Sequence, residues 1–93
     1  MSVLGRYKKQ PGETLDYDIY YTEFFSVRTD HLNTAVTTVQ TGITLVSQTL
    51  IGDSIKIKLS GGTNGVTYKI TVSMTTTTDI IKEDEFYVTV KEI

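Results

Sequence analysis

Residues 54–74 read SIKIKLSGGTNGVTYKITVSM. Ser54 to Leu59 alternates without a fault, placing Ile55, Ile57 and Leu59 on one side and Lys56 and Lys58 on the other. A period of two with apolar and charged sides is the mark of a strand with one face in the core and one in water. Ser60 to Gly65 gathers three glycines and an asparagine, residues that accept positive φ at low cost, so the backbone reverses there. The alternation then resumes, with Val66, Tyr68, Ile70, Val72 and Met74 opposed to Thr67, Lys69, Thr71 and Ser73. The expected unit is a hairpin whose two inward rows form a shared apolar surface. A lone hairpin is marginal in water, so a second sheet is expected to cover it.

Working outward, Thr14 to Tyr21 alternates in the same way and reads as a first strand. Thr22-Glu23-Phe24-Phe25 breaks the pattern with adjacent aromatics, which suits one short helical turn swinging a phenylalanine across an end of the core. Ser26 to Asp30 is a connection. Leu32 to Val39 is strand-like, but Ala35, Thr37 and Val39 compete with Leu32, Thr34 and Val36 for the inward face, a conflict that a bulge or slipped register resolves. Gly42 breaks that run, Ile43 to Leu50 resumes it, and Gly52-Asp53 turns into the central strand. Thr75 to Asp79 is a polar corner, and Glu85 to Ile93 closes the chain as a last strand. Short strands at roughly 8–12-residue spacing with turn signals between them predict an all-β sandwich or small barrel, and the long apolar face from Tyr68 to Met74 favours the sandwich. Residues 1–12, with Arg6, Lys8, Lys9 and Pro11-Gly12, read as an exposed N-terminal arm, leaving residues 13–93 for the sandwich.

Composition agrees and narrows the function. Seventeen threonines with many Val, Ile and Tyr suit a pleated surface, and alanine, the best helix former, occurs once, at Ala35. The 93 residues fit one domain with a modest core. With no cysteine, disulfides, thiolate zinc sites and cysteine nucleophiles are excluded. A net charge of −2 argues against nucleic acid as the main partner, and no apolar run reaches the ~20 residues of a membrane helix. The N-terminus lacks the apolar core of a signal peptide, so synthesis in a cytoplasm is expected.

Catalytic and metal-binding patterns are weak. His31, between Asp30 and Leu32, reads as a surface residue of a connection, and Ser60 before Gly61-Gly62 as part of a turn, so no catalytic residue is assigned. Asp16 and Asp18 share one strand face; they read as a solvated face rather than as paired acids or a calcium site, for which the loop spacing is wrong. The glycine loop lacks the Lys-Ser/Thr ending and following helix of a phosphate loop. No cofactor and no metal are expected. The aromatics carry more. Tyr20 and Tyr87 point away from the inward faces, where they serve either as partner contacts or as exposed cross-strand pairs. Candidate partner contacts are Tyr7, Lys8, Lys9, Tyr20, Phe25 and Tyr87.

With the strands laid out, the chain resembles the small immunoglobulin-like proteins of tailed bacteriophages described as fibre–tail adaptors. The resemblance rests on Pro11-Gly12 leading into Leu15-Asp16-Tyr17, on Tyr20 to Phe25, on Gly42-Ile43-Thr44-Leu45, on Leu59 through Ile70, and on Asp84-Glu85-Phe86 with Val88 and Val90. It covers roughly Pro11 to Lys91, and Leu59-Ser60-Gly61-Gly62-Thr63 through Tyr68 is its most specific part. Tyrosine and phenylalanine stand where the family tends to carry tryptophan, and the link from Ser26 to Asp30 is longer. The resemblance implies an immunoglobulin-like sandwich of about seven strands acting as a non-enzymatic virion protein, in several symmetric copies, that attaches a fibre to the tail or neck. Its partners would be tail, neck or fibre proteins. Capsid decoration by the same kind of module, or a sugar- or calcium-binding adhesin domain, are the alternatives.

Overall fold

A computed structural model of the chain describes residues 2–92, with side chains from Leu4 onward. Seven strands and one helical turn follow in order: β1 (Ser2–Lys9), β2 (Thr14–Tyr20), α1 (Thr22–Phe25), β3 (Leu32–Val39), β4 (Ile43–Ile51), β5 (Ser54–Gly61), β6 (Thr67–Thr76) and β7 (Ile81–Val90). They form a four-stranded sheet, β1-β7-β6-β3, packed on a three-stranded sheet, β2-β5-β4. Second with fifth and fourth, third with sixth and seventh, is the B-E-D against C-F-G arrangement of the immunoglobulin sandwich. The first strand lies beside the seventh.

The central stretch is therefore not a hairpin. β5 and β6 are consecutive in sequence but belong to opposite sheets, and the loop between them carries the chain across the sandwich. Gly61, Gly62 and Gly65 take φ of 74°, 101° and 86°, values that turn the backbone out of the β5 ladder before a hairpin can close. The loop is tied instead to the far end of the second sheet: the Gly65 amide donates to the Val90 carbonyl (2.7 Å) and the Thr63 amide to the Tyr68 hydroxyl (2.9 Å). Consequently Ile55, Ile57 and Leu59 do not lie beside Ile70, Val72 and Met74 but face them, all fully buried, with Phe86, Val88 and Val90 completing the layer.

Each remaining strand takes its face from local sequence. β2 pairs with β5 from Thr14↔Ser60 to Tyr20↔Ser54 without interruption. β4 turns into β5 through Gly52 (φ 58°) and Asp53. The conflict in β3 is settled by a register shift between Leu32 and Thr34, after which Ala35, Thr37 and Val39 turn inward. A similar shift between Leu45 and Ser47 lets Leu45 and Leu50 both reach the core. The helical turn forms as expected, with Phe25 buried at the end of the core. β7 begins at Ile81, four residues earlier than the sequence pattern gives. Its early half carries Glu83, Asp84 and Glu85, which hide the alternation.

The segment read as an exposed arm is strand β1 from Ser2 to Lys9, parallel to β7, from Ser2↔Asp84 to Lys9↔Val90. Its alternation is masked because Lys9 sits on the inward row. There the Lys9 side chain is almost wholly buried, and its ammonium donates to the carbonyls of Gly61 (2.6 Å) and Gln10 (2.8 Å). Removing residues 1–9 should lower the chemical-denaturation midpoint, because the β7 edge and the Gly61 carbonyl lose their partners; an unchanged midpoint would show that β1 adds no stability.

A Cβ on Gly62 would lie 2.5 Å from Val90 Cγ2, on a backbone that L residues avoid. Gly62→Ala is expected to cost at least ~1–3 kcal/mol. Gly12, where an added Cβ meets nothing within 4 Å, should tolerate alanine nearly neutrally, and the two variants compared by denaturation separate crossing-loop strain from general glycine effects.

Candidate partner-binding surface

The six residues proposed as partner contacts separate into three groups. Tyr7 and Tyr20 flank the gap where β1 and β2 stand one above the other in different sheets. The Tyr7 ring lies 5.2 Å from Tyr17 and 5.8 Å edge-on to Phe86, and Tyr17 and Phe86 are 5.5 Å apart. Such offset and edge arrangements favour aromatic packing. A groove of about 210 Å³ opens here, lined by Leu4, Tyr7, Tyr17, Asp18, Ile19, Tyr20 and Phe86. Tyr20 is the most open of these, 69% exposed, on the outward face at the end of β2. Inside the seam the Tyr17 hydroxyl is buried without a hydrogen-bond partner. Burial, with Glu13 and Tyr7 nearby, pushes its pKa up.

Tyr87 and Lys8 belong to the outer face of the four-stranded sheet. The Arg6 guanidinium stacks 4.5 Å from the centre of the Tyr87 ring, whose hydroxyl donates to the Glu85 carboxylate. That hydrogen bond, with burial second, raises the tyrosine pKa. Tyr87 is thus braced by its own neighbours, while Lys8 is exposed.

Lys9 and Phe25 are turned inward. Lys9 is held inward by the two carbonyls described above, and desolvation lowers its pKa. Phe25 packs at 5.1 Å, edge to face, on Phe24 and is only 6% exposed, because the helical turn rotates it toward the core. It is Phe24, half-buried, that meets the surface cations, with Arg28 4.5 Å and Lys82 5.7 Å from its ring.

Of the three buried carboxylates, Asp30, Asp84 and Glu85, the first two are held by hydrogen bonds that leave no mark in the sequence pattern. Asp30 accepts from the hydroxyls of Thr77 (2.6 Å) and Thr78 (2.7 Å) and from the His31 amide (2.9 Å). The run Thr75–Thr78, which the sequence pattern reads as a polar corner, continues the inward row of β6 with the fully buried Thr76, and its Thr77 and Thr78 clasp a carboxylate brought from the α1–β3 link. Burial alone would raise the Asp30 pKa, but the hydrogen bonds from Thr76, Thr77, Thr78 and the His31 amide outweigh it and hold the group below the ordinary carboxylate range. Asp84, fully buried, accepts from the Tyr21 hydroxyl (2.9 Å) and from Lys82 (3.0 Å). Burial first, and then Asp84, push the Tyr21 hydroxyl pKa up.

Because the folded pKa of Asp30 lies below its unfolded value of about 4, its contribution to stability is complete above that value and is lost as pH falls toward the folded pKa. Asp30→Asn should lower the melting temperature at pH 7 and show a smaller further drop between pH 5 and pH 2 than the parent. Parallel curves would exclude Asp30 as a source of the acid sensitivity.

His31 is exposed, with Nδ1 3.4 Å from Asp53 Oδ2. Between Asp16 and Asp18 stands the Lys56 ammonium, 3.3 and 3.4 Å from their oxygens. Among the described residues no group of three or more His, Cys, Asp or Glu converges as metal ligands would, and no helix is long and apolar enough to cross a membrane.

Fold and surface together define an immunoglobulin-like module whose outward features are an aromatic seam at one sandwich edge and a braced, charged sheet face. Residues 9–89 match the family model described as podophage GP4 fiber-tail adaptor protein gp77 (Gp77). The chain belongs to this family of phage fibre–tail adaptors, structural proteins of the virion tail. Comparison with curated proteins gives no match.

Proposed function

We propose that this protein is a non-enzymatic connector that attaches a fibre to the tail or neck of a phage particle through protein–protein contacts. The observation carrying this reading is the family match, which spans the sandwich from the end of β1 nearly to the end of β7. The physical character of the surface supports it. Exposed tyrosine at Tyr20 and Tyr7 offers large rigid contact area with a polar tip. A net charge of −2 does not favour binding along a phosphate backbone. Several copies, made in the host cytoplasm, would take up positions around the symmetry axis of the tail.

A cryo-EM reconstruction of the particle carrying this protein is expected to show its sandwich between tail or neck and fibre. Particles assembled without it should have complete heads and tails but lack the fibre. Density on the capsid lattice, or full fibre occupancy in its absence, would overturn the proposal.

A further inference from the structure

In constant-type immunoglobulin sheets the first strand lies beside the second, in the order A-B-E-D. Here β1 pairs with β7 in the opposite sheet, and β2 has a neighbour only on the β5 side. The Tyr21 amide donates to the Asp53 carbonyl (2.9 Å), which fixes the phase of the β2–β5 ladder. Antiparallel pairs alternate between hydrogen-bonded and non-hydrogen-bonded. Thr14, Asp16, Asp18 and Tyr20 therefore direct their amides and carbonyls away from β5, toward the open edge.

That edge differs from the other three. β1, β3 and β4 each carry a register shift, at Val3/Arg6, Leu32/Thr34 and Leu45/Ser47, and such bulges disrupt the ladder that an incoming strand would need. β2 runs seven residues without one. The aromatic groove lies directly beside it, with Tyr17 and Ile19 of β2 in its wall.

We propose that the β2 edge is a vacant strand slot, filled by an extended segment of a partner virion protein that adds to the three-stranded sheet as a fourth strand. Inward side chains of the segment cover the groove between Leu4, Tyr7, Tyr17 and Ile19. A second copy of this chain is the wrong occupant. Antiparallel pairing of β2 with itself about Tyr17 sets Asp16 against Asp18 twice over, and like charges directly opposed destabilise a sheet. Lys56 engages one oxygen of each carboxylate, a single cation against two anions. The segment that fits alternates apolar residues with Lys or Arg, in the strand-addition mode of peptide recognition. This inference rests on the connector reading and names the surface that would serve it.

The test is amide hydrogen exchange on the intact protein, alone and mixed in turn with the purified fibre and tail proteins of the same phage. With the partner bound, the amides of Asp16 and Asp18 should exchange about 100-fold more slowly than in the free protein. Leu15, Tyr17 and Ile19, already bonded to β5, should change little. Asp18→Pro, which removes one open-edge amide, should weaken binding about 100-fold and leave the fold intact, since proline is tolerated on an edge where the N–H faces solvent; Asp18→Asn, which keeps that amide and removes one of the two charges facing the segment's Lys or Arg, should weaken binding only a few-fold. Binding without added protection at these amides overturns the slot and leaves the connector reading standing. Failure of both proteins to bind overturns both, and protection that appears on concentrating the protein alone assigns the edge to a second copy and overturns the proposed occupant.

Discussion

Two apolar rows facing each other set the terms for everything else in this molecule. Ile55, Ile57 and Leu59 on one sheet and Ile70, Val72, Met74, Phe86, Val88 and Val90 on the other are all at most 1% exposed. A domain of about this size buries only roughly two-thirds of its unfolded surface, and the chain has no disulfide to assist. The rows can face each other only because Gly61, Gly62 and Gly65 accept the backbone angles that lift the chain from one sheet to the other. The most specific part of the family-like sequence is thus also the segment on which the two-layer architecture turns.

The two ends of the sandwich are closed by polar devices of opposite charge. At one end Asp30 sits in a clasp of threonine hydroxyls from the β6–β7 turn, where Asp79 takes φ 66°. At the other the Lys9 ammonium is held by the carbonyls of Gly61 and Gln10, tying the end of β1 to the start of the crossing loop. Each places a charge where burial would be costly without hydrogen bonds, and each joins segments far apart in sequence. They therefore define which loop meets which strand end, a specificity that apolar rows of Ile and Val supply poorly. Tyr21 and Lys82 around Asp84 do the same between the helical turn and β7.

Alternation makes β2, β4, β5 and β6 legible, since it reports which side chains share a face. It does not report which strand lies beside which. Ile55 to Leu59 and Tyr68 to Met74 alternate identically whether they are neighbours in one sheet or opposed across two, so the sequence pattern does not distinguish a hairpin from a crossing. β1 is hidden because Arg6, Lys8 and Lys9 look like a solvated run, although Lys9 is turned inward. Among the candidate contacts, Tyr20 is readable from its outward position on a regular strand. Phe25 is not, because within one helical turn the choice between Phe24 and Phe25 as the buried ring depends on what packs beneath.

Placement of the first strand gives the fold its asymmetry. By lying parallel to β7, β1 extends the four-stranded sheet and brings Tyr7 over Tyr17 and Phe86, while β2 is left at a sheet boundary. Had β1 paired with β2 instead, Tyr7 could not reach across the sandwich from the opposite layer, and the β2 edge would be closed by a ladder. The register shift between Val3 and Arg6 falls where Gly5 sits beneath the Tyr7 ring; a Cβ there would lie 2.8 Å from the Tyr7 hydroxyl oxygen. Gly5 and Tyr7 therefore act together: the missing side chain makes room for the ring, and the ring closes the layer that β1 has joined. The aromatic groove beside β2 follows from that choice of partner strand.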